Sequence, residues 1–198
     1  MASVRPPAVA GTFYPAEPGE LRSMVEGFLR EPADGRPAPK AVIAPHAGYV
    51  YSGAVAGSAF SVLAAAATSI RRVVLIGPAH YVPIRGLALP GHARFATPLG
   101  EVGIEPAGAQ AALRLPQVRL VPDAHAREHS LEVELPFLQA LLGDFELVPL
   151  VAGEADGGEV AEVLERLWGG PETLIVISSD LSHYLPYDAA RRVDRETA

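Results

Sequence analysis

The sequence contains no cysteine, and this absence excludes disulfide bonds, cysteine-rich zinc modules and thiolate nucleophiles. Lysine is nearly absent as well, because Lys40 is the only lysine among 16 basic residues and the arginines are scattered. The formal net charge is −7, so the overall field repels phosphate backbones and anionic membrane surfaces. We therefore predict neither a nucleic-acid partner nor a membrane partner.

Long apolar runs are also missing. The longest run of small and apolar residues, 53–68, is interrupted by Gly57, Ser58 and Ser61 and is shorter than the roughly 20 residues that span a bilayer. We predict that it forms a buried helix. The N-terminal residues lack the apolar core of a signal peptide, and by default we expect a cytoplasmic location.

Short β-branched runs alternate with helical segments along the chain, and this alternation indicates an α/β fold. We predict a single domain with a central mixed, mostly parallel sheet flanked by helices, a size that 198 residues suit. The strongest predicted strands are 41–44, 73–76, 147–151 and 174–177, and the main predicted helices are 52–67, 131–142 (kinked near Pro136) and 159–168.

The chain ends within a predicted polar helix that begins at Pro186. This helix has no terminating Gly or Pro before Ala198. We therefore expect one domain over residues 1–198 that is truncated at its C-terminal end.

Three histidines follow three predicted strands: His46 by two residues, His80 by four and His183 by six. If the strands are parallel, their carboxyl ends share one edge of the sheet, where ligands collect in open α/β folds. Imidazoles bind transition metals and transfer protons near neutral pH. Asp180 could orient an imidazole or bind metal. The alternative is that each histidine is an ordinary loop residue and that Asp180 only caps a helix.

A second histidine-bearing segment runs from His125 to Glu132. On a helix His125 and His129 would share a face and could chelate a metal. Equally, the segment could be a helix start, where Glu128 and Glu132 favour the positive end of the dipole. We predict that His129 points into the pocket, on the substrate or oxygen side, and that His125 lies outside it.

Five motifs stand in the order of a known family. They are VAGTFYP at 9–15, APHAGY at 44–49, GPAH at 77–80, EHSLE at 128–132 and SDLSHY at 179–184. Together they resemble the Memo family, whose prokaryotic members are also called AmmeMemoRadiSam system protein B. The resemblance covers essentially the whole chain.

This resemblance implies a fold like the LigB subunit of class III extradiol dioxygenases, which cleave catechols with non-haem Fe(II). It implies that His46 and His80 are metal ligands, that His183 is the acid/base histidine and that His129 is a second pocket histidine. The family's third ligand, a carboxylate in the dioxygenases and a cysteine in animal Memo proteins, comes from a C-terminal segment that this chain does not contain, unless Asp180 replaces it.

The function predicted from this resemblance is a dioxygenase-like oxidoreductase that uses Fe(II), or copper, on a small-molecule substrate. In it, His183, oriented by Asp180, takes or gives a proton. One alternative is a non-catalytic scaffold that binds a peptide, or the radical SAM and AMMECR1-like partners of the AmmeMemoRadiSam system. Another is a zinc hydrolase in which His183 activates water. Whether the chain is an enzyme stays open at this point.

Overall fold

A mixed sheet forms the centre of the chain in the computed structural model, which describes residues 3–29 and 37–197. Its strands are β1 (Val4–Arg5), β2 (Ala41–Ala44), β3 (Arg72–Pro78), β4 (Leu87–Leu89), β5 (Arg94–Thr97), β6 (Gly100–Ile104), β7 (Val118–Leu120), β8 (Glu146–Ala152) and β9 (Thr173–Ser178). Within the described residues the strand order is β1-β5-β6-β8-β3-β9-β2, and β4 joins β7 to β8. The β5–β6 and β4–β8 pairs are antiparallel and the other pairs are parallel, which confirms the predicted fold class.

Helices cover both faces of this sheet. They are α1 (Pro18–Phe28), α2 (Tyr49–Ser61), α3 (Pro106–Ala112), α4 (Pro122–Ala126), α5 (Leu135–Leu141), α6 (Gly157–Leu167) and α7 (Tyr187–Thr197), with 3-10 turns at Ala64–Ala66 and Glu132–Glu134. No helix in the described ranges has the length and apolar character that crossing a bilayer requires.

Two helices differ from their predicted bounds. The predicted helix 131–142 is a 3-10 turn followed by α5, and Pro136 lies in the first turn of α5 rather than at a kink. Proline is tolerated there because the first helical N–H groups have no partner within the helix. The predicted helix 52–67 begins earlier, at Tyr49, and its regular part ends at Ser61.

The two faces of the sheet bury separate apolar clusters. Along β3, Val73 and Leu75 pack on the side of α1, α2 and α5, whereas Val74 and Ile76 pack on the side of α3 and α6. Successive side chains on a strand point to opposite faces, so a continuous apolar run suits a strand that is buried on both sides. This three-layer packing fixes the central strands.

The strand order and direction also bring three strand ends together. β3, β9 and β2 are neighbours and run parallel, with Ala44 opposite Ser178 in the register. Their carboxyl ends therefore meet at one edge of the sheet. His46, His80 and Asp180 follow these three strand ends within two residues.

A buried ion pair ties the N-terminal strand to the segment that carries His129. Arg5 Nη1 lies 2.6 Å from Glu132 Oε2, and the two residues are 1% and 0% exposed. The same guanidinium donates to the backbone oxygens of His125 at 2.7 Å and Glu128 at 2.5 Å. The charge of Arg5 is therefore satisfied by one short stretch of chain.

Glu132 is satisfied from the other side by the loop after β1. Its carboxylate accepts the backbone N–H groups of Ala8 at 2.7 Å and Val9 at 3.0 Å, and the hydroxyl of Tyr14 at 2.5 Å. A buried carboxylate with this many donors stays compensated only while all of them are in place.

We expect Glu132→Ala to lower the free energy of unfolding by about 3–5 kcal/mol, because it leaves the Arg5 charge buried and unpaired. Urea denaturation measures the loss. The matched control is Glu26→Ala, which removes the exposed Arg22–Glu26 pair of 4.0 Å and should change stability by less than about 1 kcal/mol. Equal urea midpoints for the two variants would contradict a stabilising role for Glu132 as the partner of the buried Arg5 charge.

Candidate metal centre

Three imidazoles meet at the common edge of the sheet. His46, His80 and His129 each offer a ring nitrogen, and these nitrogens all lie within 4.8 Å of one another. A metal ion bound at about 2.0–2.1 Å from each nitrogen needs them within roughly 4 Å of one another, so the cluster is close to coordination distance. The set runs from buried His46 through half-buried His129 to exposed His80, which leaves one side open to solvent.

His46 is held by the end of β9. Its backbone N–H donates to Asp180 Oδ1 at 2.7 Å, and its Nδ1 lies 2.8 Å from the hydroxyl of Ser178. The opposite nitrogen, Nε2, faces Asp180 Oδ2 at 3.8 Å. Because Nδ1 is engaged, Nε2 is the nitrogen that His46 presents to the cluster.

His80 and His129 share one carboxylate, that of Glu128. Its Oε2 accepts the backbone N–H of His80 at 2.7 Å, and its Oε1 lies 2.8 Å from His80 Nδ1. Oε1 also accepts the backbone N–H groups of His129 and Ser130, each at 2.9 Å. A carboxylate on Nδ1 fixes the ring of a metal-binding histidine and frees Nε2 for the ion.

The protonation states suit a metal. Burial lowers the pKa of His46 to about 4, an effect that Asp180 partly offsets and that His80 and His129 reinforce. Burial likewise lowers the pKa of His129. Burial alone would raise the pKa of Glu128, but the hydrogen bonds from His80 and Ser130 outweigh it and hold that pKa below its usual value. At neutral pH His46 and His129 are therefore neutral imidazoles beside an ionised Glu128, the forms that metal binding requires.

One ring nitrogen of the cluster lies near a carboxylate without a hydrogen bond, since His129 Nδ1 is 3.5 Å from Glu128 Oε1. His129 Nδ1 is buried and, among the described residues, finds no hydrogen bond. The residues present therefore fit a metal ion, since three imidazoles are a donor set for zinc, copper and iron.

His183 lies outside this group of three imidazoles. Its side chain is 53% exposed, and its Nε2 lies 3.4 Å from Asp180 Oδ2, the oxygen that also faces His46. Asp180 therefore stands between His46 and His183 at the rim of the site. The predicted acid/base role of His183 stays a prediction.

The His125–Glu132 segment places its two histidines in different surroundings. His129 joins the cluster, whereas His125 is buried in α4, where its Nε2 lies 2.9 Å from the carbonyl oxygen of Ala88.

Two kinds of supporting residue were missed by the sequence analysis. Glu128 was interpreted only as a charge at a helix start, although its position directly before His129 was a usable signal. The aromatic side chains of Phe13 and Tyr81 flank His129, with ring centroids 4.7 and 6.0 Å from its own. No strand-end pattern marks either of them.

We expect Glu128→Gln to weaken binding of Zn²⁺ by about 10–100-fold, because the neutral amide cannot accept all four hydrogen bonds that orient His80 and His129. Isothermal titration calorimetry measures the dissociation constant. Glu165→Gln, at an exposed position in the last turn of α6, is the matched control. A Glu128→Gln protein that binds Zn²⁺ as tightly as the control would rule out this role.

Buried His125 makes stability depend on pH. Burial lowers its pKa to about 4, whereas an unfolded histidine titrates near 6.5. As the pH falls, the unfolded chain takes up this proton before the folded protein does. The contribution of His125 to the free energy of unfolding is therefore full above about pH 6.5 and decreases progressively as the pH falls to about 4. The difference between the folded and unfolded pKa of His125 corresponds to about 3 kcal/mol of unfolding free energy. We expect His125→Gln to reduce the pH slope of the unfolding free energy, measured by urea denaturation across this window. An unchanged pH slope would contradict the expectation.

Comparison with known proteins agrees with the motifs. A family model described as Memo-like protein matches residues 5–198. A MEMO1 family protein of Methanopyrus kandleri is 40% identical over 212 residues, which cover 97% of this chain and 73% of that protein. MEMO1 family proteins of Archaeoglobus fulgidus and Aquifex aeolicus are each 39% identical, and each match covers 96% of this chain and 72% of the relative. The chain belongs to the Memo family.

Proposed function

We propose that this chain is a metal-dependent redox enzyme that holds Fe(II) between His46, His80 and His129 and acts on a small molecule. The observation that carries the proposal is the meeting of three imidazoles at one solvent-accessible edge. When bound, Fe(II) supplies redox chemistry and Lewis acidity. His129 takes the place of the third ligand because its buried Nδ1 makes no hydrogen bond among the described residues, with Glu128 Oε1 3.5 Å away.

The residues beside the cluster handle protons and substrate. Asp180 Oδ2 lies 3.4 Å from His183 Nε2, so the carboxylate orients an imidazole that is exposed at the rim. From there His183 takes a proton from the substrate or returns one to it. Phe13 and Tyr81 offer apolar ring surface around His129, which favours a small aromatic substrate.

A second candidate is zinc-dependent hydrolysis. It is favoured by the donor set itself, because three histidines bind zinc in known catalytic sites, whereas Fe(II) oxygenases commonly use two histidines and a carboxylate. The carboxylate of Asp180 is close by, with its Oδ2 3.8 Å from His46 Nε2. Because Fe(II) sites commonly include a carboxylate, we favour iron over zinc. In a zinc hydrolase, His183 would activate a water molecule.

The test begins with protein purified without oxygen and analysed for bound metal by mass spectrometry, followed by titration with Fe(II) and Zn²⁺. Loss of a supporting residue around a metal typically lowers affinity by about 10–100-fold, so we expect His46→Ala, His80→Ala and His129→Ala each to lose more than about 100-fold. His183→Ala should keep the metal and lose oxygen consumption on aromatic test substrates. The control is His92→Ala, in the loop before β5.

The outcomes separate the candidates. Iron with oxygen uptake that depends on His183 supports the redox enzyme. Bound zinc and hydrolysis without oxygen uptake would replace it with the hydrolase. Metal affinity that survives all three substitutions would overturn both, and tight peptide binding in those variants would favour a scaffold.

A further inference from the structure

The hydroxyl of Ser178 has three polar neighbours. His46 Nδ1 lies 2.8 Å from it, the carbonyl oxygen of Ser130 lies 2.5 Å away, and Glu134 Oε1 lies 2.9 Å away. Ser178 is 2% exposed and Glu134 is 0% exposed, so water does not compete for these contacts. A serine hydroxyl has one hydrogen to donate and two lone pairs to accept with.

Among the residues that the structure describes, no cationic side chain pairs with Glu134. Its Oε2 is buried and finds no hydrogen bond among the described residues, and its Oε1 contacts only Ser178. The Tyr49 hydroxyl nearby donates to the Val133 carbonyl oxygen instead. An isolated buried carboxylate is strongly unfavourable and takes up a proton. In agreement, burial raises the pKa of Glu134 well above its usual value.

The hydrogens can then be assigned one by one. The Ser130 carbonyl oxygen can only accept, so it takes the single Ser178 hydrogen across the shortest of the three contacts. Both remaining neighbours must donate to Ser178 Oγ. For His46 this places the hydrogen on Nδ1, and for Glu134 it requires a carboxylic acid.

We propose that Glu134, as a neutral carboxylic acid, and Ser178 form a buried relay that fixes the tautomer of His46, with hydrogen on Nδ1 and a free lone pair on Nε2. Both are positioning residues, because Glu134 acts on His46 only through Ser178. The functional meaning of the relay rests on the proposed metal site, but the proton assignment itself does not.

The wild-type protein without metal provides the first test. We expect its infrared spectrum at neutral pH to contain a protonated carboxyl band that shifts when glutamate is isotope-labelled and disappears in Glu134→Gln. Heteronuclear NMR of the histidine side chains should show hydrogen on His46 Nδ1. A folded protein without this band, or with hydrogen on His46 Nε2, would overturn the proposal even if Glu134→Gln failed to fold.

Variants test the consequence for metal binding. Ser178→Ala removes the acceptor of His46 and should weaken Zn²⁺ binding by about 10–100-fold, with loss of the single tautomer. Ser178→Thr keeps a hydroxyl and should restore both, while Glu134→Gln should preserve the tautomer because an amide also donates. Ser58→Ala, whose exposed hydroxyl bonds the Ala54 carbonyl oxygen within α2, is the matched control. A Ser178→Ala protein that keeps the tautomer would contradict the relay.

These tests distinguish this inference from the proposed function. If wild type binds metal but Glu134 is ionised, the relay is wrong and the metal site stands. If Glu134 is protonated and His46 has the expected tautomer but no metal binds, the relay stands and the proposed function fails.

Discussion

The carboxylate of Glu128 joins two separate turns of the chain at the metal site. It accepts two hydrogen bonds from His80, after β3, and two from the backbone of His129 and Ser130, between α4 and the 3-10 turn before α5. Because these four contacts fix both histidines relative to one buried group, the distance between the two imidazoles depends on a single side chain. The candidate site therefore depends on this carboxylate more than on either strand end alone.

The remaining architecture brings Glu128 and His46 to the same place. Parallel β3, β9 and β2 end together, and apolar packing on both faces keeps their register. The Arg5–Glu132 ion pair holds the segment that carries Glu128 against the N-terminal strand, with the Arg5 guanidinium also bonded to the Glu128 carbonyl oxygen. Stability and site geometry are thus coupled, because the same buried polar contacts serve both.

Part of this arrangement could be predicted from the sequence. The parallel sheet follows from the alternating pattern, and the strand-end rule brings His46 and His80 to one edge. The rule is less informative for His183, which lies five residues beyond β9 on an exposed segment, so strand position no longer determines where its ring points. His129 follows no strand at all, and it was indicated by the histidine spacing of its own segment and by the family motif. The contact between Ser178 and Glu134 depends on how the 3-10 turn before α5 lies against the end of β9, which periodicity does not describe.

The most direct measurement is X-ray absorption spectroscopy on the Fe(II)- or Zn²⁺-loaded protein, supported by a crystal structure with anomalous scattering from the metal. We predict one ion bonded to three imidazole nitrogens, those of His46, His80 and His129, at about 2.0–2.1 Å for zinc. An ion bound elsewhere on the chain, or one with no histidine nitrogen from these positions, would contradict it.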